Sequence, residues 1–296
     1  MKIICIIIFS IFTTSLYADF RNKIISKSLN EISEKTSSFV SGLIPGEGIT
    51  EVEVNYGEKI DNNYQFKILG VRDIVPKDNS NLFTQFSLQN QEINNNDRIV
   101  GNLGFGYRVL NLDQSIMLGA NTFYDQDLTA DHKRVGYGIE AKANYLDFSY
   151  NRYIKATNQK VINGTNEQVL GGQEFNLASQ LPYMSWTTIN IRKYIDEVDL
   201  AANDSKGHVY SLEMALTPSI NLDILKDDPS GKRSGDSTVK LILVHPPRNT
   251  KATMADSFFS KKAFIKQNVQ EKLKDKVRRN NNLAVEIQGS IIATKQ

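Results

Sequence analysis

Cysteine is almost missing from this chain. Its 296 residues include one, Cys5. That residue lies inside an apolar N-terminal run, so once the run is removed on export neither a disulfide framework nor thiolate chemistry remains. Charge of one dominant sign is missing too. The 35 Lys and Arg residues face 33 Asp and Glu, a formal net charge of +2, which gives no overall bias toward nucleic acid. Beyond the N-terminus there is no long apolar run. The longest, VKLILV at 239–244, falls far short of the ~20 residues that a membrane-spanning helix needs. Nucleophile and metal motifs are absent: there is no Gly-x-Ser-x-Gly, no His-Glu-x-x-His and no P-loop. The three histidines are His132 in a loop pattern, His208 at a strand start and His245 before Pro246-Pro247, none beside a serine in a nucleophile motif. Asp127, Asp131 and His132 read as solvated loop polars. Neither enzymatic chemistry nor a cofactor or metal is expected.

What is present begins with Met1-Lys2 and the run IICIIIFSIFTTSL at 3–16, followed by Tyr17, Ala18 and Asp19. This predicts a secretory signal peptide, residues 1–18, cut after Ala18. Cys5 lies too early for a lipoprotein site. From 19 to 48, Phe20, Ile24, Ile25, Leu29 and Ile32 recur at helical spacing, which predicts a periplasmic helical leader.

From Ile49 the period changes to two. Val52, Val54 and Tyr56 alternate with Glu51, Glu53 and Asn55; Leu103, Phe105 and Tyr107 alternate with Asn102, Gly104, Gly106 and Arg108. Val135 to Tyr145 alternates in the same way with Glu140 and Lys142 on the polar face. Turn clusters such as Asn111-Leu-Asp113 and Asn163-Gly164 separate about twelve such segments, the length and even count of a closed membrane barrel. A secreted β-sandwich is the competing all-β fold. Aromatic residues near the strand ends, together with the signal peptide, favour an outer-membrane antiparallel barrel over 49–250. Val52, Phe66, Phe105, Tyr137 and Phe148 are expected toward lipid. Glu51, Glu53, Arg108, Glu140 and Lys142 are expected to line the lumen. Asn121, Phe123 and Asp125 share a face and are expected at the pore or a loop base. The glycines at 101, 104, 106, 119, 136 and 138 either clear space for a plug or permit strand curvature.

Residues 255–277 return to a helical pattern, with Phe258, Phe264, Val269, Leu273 and Val277 in register. Residues 251–279 hold nine basic and three acidic side chains, whereas 19–250 hold 24 basic and 29 acidic. A basic linker helix over 251–282, carrying Lys261, Lys262, Lys266 and Lys272, is expected inside the pore. A short strand-like tail is expected over 283–296.

Three stretches carry a family resemblance: NLGFGYR at 102–108, MLGANTFYDQDL at 117–128, and RVGYGIEAKANYLDFSYNRY at 134–153. With Arg279-Asn-Asn-Asn282 before Leu283-Ala-Val-Glu286, they resemble the inverse autotransporter β-domain of the intimin/invasin family. The resemblance is weaker after 153, where the family's R-P-A-x-G-Y-D strand corresponds only to QVLGGQE at 168–174. It implies a barrel that contacts outer-membrane lipid, depends on the barrel-assembly machinery and periplasmic chaperones, and threads a linker outward for surface display and adhesion, with a host or cell-surface contact. Family members continue into extracellular receptor-binding modules. With 14 residues after Asn282, no autonomous receptor-binding domain is expected to form there, and a passenger that was lost or is made as a separate chain is a further reading. A small-solute porin is the alternative function, distinguished by an unfilled lumen.

Overall fold

The computed structural model describes residues 47–57, 65–94, 96–199, 204–230, 234–287 and 290–292. The expected signal peptide and, apart from its last two residues, the helical leader lie outside the described residues.

Twelve antiparallel strands close into a barrel. They are β1 (Gly48–Gly57), β2 (Gln65–Lys77), β3 (Ser80–Ile93), β4 (Asn96–Leu110), β5 (Ile116–Asp127), β6 (Lys133–Ala143) and β7 (Leu146–Lys155). After the small hairpin β8 (Lys160–Ile162) and β9 (Thr165–Val169) come β10 (Gly171–Leu181), β11 (Met184–Glu197), β12 (Ser205–Thr217), β13 (Ile220–Pro229) and β14 (Asp236–His245). β7 pairs directly with β10, so β8–β9 is an insertion outside the wall. The barrel closes where β1 meets β14, from Thr50 opposite His245 to Gly57 opposite Thr238. Two last strands, β15 (Val285–Ile287) and β16 (Ser290–Ile292), join the hairpin in a separate sheet of order β16-β15-β9-β8.

Closure follows from the alternation. Every pleat sends successive side chains to opposite faces, and an even antiparallel set with a polar inner face has no free edge once its first and last strands pair. On β4, Leu103, Phe105 and Tyr107 are exposed on the outside, while Asn102, Gly104, Gly106 and Arg108 are buried inside. Phe66, Tyr137 and Phe148 are likewise exposed outward, and Val52 points the same way from β1. The expected lipid-facing set therefore shares one outer apolar surface.

An even strand number puts both ends of the barrel at one rim. That rim also carries the turns 77–80, 110–116, 143–146, 181–184 and 217–220, and is called the turn rim below. The opposite loop rim carries the β5–β6 loop and the β8–β9 insertion.

The expected C-terminal helix is not found. Residues 246–284 are irregular or extended apart from one 3-10 turn, Gln270–Lys274. The helical spacing of the apolar residues arises instead from a walk around the inside of the turn rim. Arg248 N–H donates to Pro218 C=O at 2.8 Å, and Met254 N–H to Ala215 C=O at 2.8 Å. Ser260 and Ala263 bracket Tyr183 through backbone bonds of 2.8 and 2.7 Å. Phe258 packs on Trp186 and Phe264 on Tyr145, each with centroids 5.4 Å apart. Val269 and Leu273 then bury against Leu110 and Met117. A side chain was needed at each turn passed, and those intervals imitate a helical stripe.

Candidate functional site: a threaded lumen

The inner wall is dense with polar groups, and burial away from bulk water makes each seek a partner. The partner for many of them is the chain itself. After Leu273 the polypeptide leaves the turn rim, runs extended through the lumen, and emerges at the loop rim as β15. Extended chain rises about 3.3 Å per residue, so residues 275–283 cover about 30 Å, the hydrocarbon thickness of a bilayer. A helix of nine residues would cover less than half of that.

The five expected lumen residues are all buried inside the barrel. Glu51 accepts from Lys276 Nζ at 2.6 Å. Arg108 donates to the carbonyls of Leu273 at 2.9 Å and Asp275 at 2.5 Å, with Glu140 holding its Nε at 2.6 Å. Lys142 Nζ lies 3.4 Å from Glu140, 3.7 Å from the Asp275 carboxylate and 3.5 Å from the Lys276 carbonyl. Glu53 serves the wall instead, pairing with Lys67 at 2.6 Å and Lys240 at 3.1 Å.

The expected pore lysines are placed differently. Lys261, Lys262 and Lys266 are exposed at the turn rim, and Lys272 is buried there, donating to Asp147 at 2.6 Å and to the Ala143 carbonyl at 2.7 Å. The segment's own cations inside the lumen are Lys276, Arg278 and Arg279. Arg278 forms a two-pronged pair with the Glu213 carboxylate. Arg279 reaches Asp125 at 2.6 Å, with its guanidinium 4.1 Å above the Phe123 ring and 5.5 Å from Tyr153. Asp125, fully buried, also accepts from Arg134 at 2.8 Å and from Asn102 Nδ2 at 2.7 Å. The NTFYD word thus supplies both the aromatic platform and the anion for Arg279. Glu213, Gln85 and Gln91 carried no motif, and their signal was only that each is polar on an inward strand face; Glu174 ends the weakly matching QVLGGQE stretch but was not assigned to the lumen.

Glycine makes the platform possible. A Cβ at Gly104 would sit 2.3 Å from the Phe123 ring, and one at Gly106 would sit 2.4 Å from Phe83. Phe83 is in turn the ring beneath Arg108, at 4.1 Å. Gly104 and Gly106 therefore clear space for inward aromatic rings on which the arginines rest, while Gly119 and Gly138 make room for the polar side chains of Glu140 and Asn151. Gly104→Ala should displace Phe123 and destabilise the protein by about 1–3 kcal/mol, the usual range for overpacking. The measurement is the urea midpoint of heat-modifiable mobility; an unchanged midpoint would show that Phe123 can move without consequence.

The loop rim fixes the emerging chain. Val285, Glu286 and Ile287 pair with Val169, Gln168 and Glu167 of β9. Glu167 is anchored to the barrel by Arg98 at 2.7 Å, and Arg98 also contacts Asp127 at 3.2 Å. Buried His132 lies 3.5 Å from Glu167, and its burial among these groups lowers its pKa.

Over residues 12–281 the sequence matches the inverse autotransporter β-domain. The chain belongs to that family. Among inverse autotransporter relatives, it is 28% identical over 208 residues to an attaching and effacing protein homolog of Escherichia coli strain K12, covering 63% of this chain and 68% of that protein. It is 33% identical over 111 residues to the invasin of Yersinia enterocolitica, covering 36% of this chain and 12% of the invasin. With the inverse autotransporter adhesin YeeJ of E. coli K12 it shares 26% over 166 residues, 53% of this chain and 7% of YeeJ. The matched part is thus a small fraction of the two longer relatives. A solved structure from a study of in-meso crystallization of membrane proteins superposes with a TM-score of 0.65 at 19% identity, covering 81% of this chain and 100% of that one, a likeness of fold. This inverse autotransporter domain is an outer-membrane barrel whose outer face contacts lipid, in a family of adhesins and outer-membrane barrels rather than enzymes. Among the described residues no helix is long and apolar enough to cross a membrane, and the crossings are made by strands.

Proposed function

We propose that this barrel anchors in the outer membrane and carries its own C-terminal segment outward to the cell surface, in the service of adhesion. The observation that supports this reading is the path of residues 275–287. They enter at the rim that holds both barrel ends and leave at the opposite rim, paired with β9 outside the wall. Barrels of this kind carry short turns on the periplasmic side and longer loops outside, which gives the threaded segment an outward direction. In this reading residues 1–18 are a signal peptide and 19–48 a periplasmic leader. The unfolded chain is escorted by periplasmic chaperones to the barrel-assembly machinery, and the displayed end meets a host or neighbouring cell. A small-solute porin is less well supported, because the lumen holds polypeptide along its length.

The test is topological. An epitope-bearing domain fused after Gln296 should bind antibody on intact cells. Detection only after the outer membrane is permeabilised would mean that the segment does not run outward, and the proposal would fall.

A further inference from the structure

The wall contacts of the threaded segment are unequally divided, and the division suggests what the lumen recognises. The wall holds several side chains of the segment: Asp275 by Lys142, Lys276 by Glu51, Arg278 by Glu213, Arg279 by Asp125 and Asn282 by Gln89. Most of the remaining bonds go to its main chain. Gln85 Oε1 accepts from Val277 N–H at 2.8 Å. Ser149 and Asn151 donate to the Arg278 carbonyl at 3.2 and 2.8 Å. Tyr153 and Glu174 each receive Asn280 N–H at 2.9 Å, and Arg134 donates to the Asn280 carbonyl at 3.0 Å. Asn102 donates to the Asn281 carbonyl at 3.1 Å. Gln91 closes the series with both ends of its amide, accepting from Leu283 N–H at 3.1 Å and donating to Leu283 C=O at 2.7 Å. One carboxamide thereby reproduces the paired bonds that a neighbouring strand would make.

These groups project from β3, β4, β6, β7 and β10, one continuous side of the barrel. Across the lumen, a cavity of about 50 Å³ lies between the Asn280–Asn282 run and Glu53, Lys67 and Lys240. The main-chain bonds thus lie along one side of the barrel, while Glu51 on β1 and Glu213 on β12 reach the segment's side chains from elsewhere in the wall.

We infer that this wall is a track for extended polypeptide, binding the substrate class by its backbone amides and carbonyls and accepting side chains other than those of residues 275–283. Backbone bonds are the part of a peptide that every sequence presents. Residues following one another through the lumen would meet the same donors and acceptors, while Glu213 and Asp125 hold the final register through the two arginines. This deepens the display reading and rests on it, since it names what the barrel passes.

The test uses the full chain in planar bilayers, with heat-modifiable mobility confirming a folded barrel. Asn280 and Asn281, whose side chains bond only within the segment, are changed together to Ala. This segment should remain seated, with conductance within twofold of the parent. Gln85→Leu with Gln91→Leu, near-isosteric changes that remove only the amide contacts, should raise the open-time fraction at least fivefold. Gln91→Glu, which keeps the acceptor for Leu283 N–H and loses the donor, should lie between. An alanine segment that leaves the pore open would mean that recognition is by side chain, and a closed Gln85→Leu/Gln91→Leu pore would mean that the main-chain bonds do not hold the segment; either result overturns the track. Surface exposure of the Gln296 fusion is scored separately in the same variants, so the track can fail while outward display stands.

Discussion

Deletion of residues 275–296 should raise single-channel conductance several-fold and make the pore cation-selective. The first effect is steric. A barrel of this strand number lies between the small barrels filled by their own side chains and the wide porins, and the extended segment with Arg278 and Arg279 occupies the space that remains. The second effect is electrostatic. The deletion removes Lys276, Arg278 and Arg279 against Asp275 and Glu286 among the described residues. Glu51 loses Lys276, Glu213 loses Arg278, and Asp125 loses Arg279 while keeping Arg134 and Asn102. Carboxylates facing water in a pore select cations. Reversal potentials in a salt gradient read this directly, and an anion-selective or unchanged pore would show that the lumen cations do not neutralise these groups.

Asp125→Ala is expected to be the most damaging single substitution in the lumen. Asp125 is fully buried and serves Arg134, Arg279 and Asn102 together. Removing it leaves two guanidinium groups inside the wall without an anion. Breaking a buried ion pair by deleting one partner typically costs about 3–5 kcal/mol, because the surviving charge is uncompensated. The expected result is a large fall in the urea midpoint of the folded barrel. Adding Arg279→Met should recover part of it, because one stranded charge is then gone and an apolar stem still covers Phe123. A double variant no more stable than Asp125→Ala would assign the loss to Arg134 and Asn102 instead of to the threaded arginine. The two outcomes separate a wall-stabilising role for Asp125 from a plug-holding one.

The wall that holds the segment was legible to an unequal degree. The words at 102–108, 117–128 and 134–153, which carried the family resemblance, contain Asn102, Arg108, Asp125, Arg134, Lys142, Ser149, Asn151 and Tyr153. Each of these touches residues 273–281 or the anion that holds Arg279. After 153 the motifs fade: Glu174 ends the weakly matching QVLGGQE stretch, and Glu213 makes its contact with a single long side chain that leaves no pattern.

Alternation by itself determined the strands and their two faces, because a pleated strand leaves its side chains no other choice than opposite faces. It put Glu51, Glu53, Arg108, Glu140 and Lys142 on the polar face; that this face turns inward in a closed barrel and not outward in a sandwich needed the aromatic strand ends and the apolar N-terminal run as well. Only the tertiary structure decided the state of residues 255–283. Their apolar spacing satisfies a helix as well as it satisfies a circuit past Trp186, Tyr145, Leu110 and Met117. An isolated segment would have to bond its own amides in a helix or leave them to water, and Asn280-Asn-Asn282 is poor material for a helix. Inside the barrel, Gln85, Gln91, Asn102, Arg134 and Asn151 offer partners to the amides or carbonyls of Val277, Arg278, Asn280, Asn281 and Leu283. The extended form gains them while spanning the full depth of the wall, and no local property of the segment records that those partners exist.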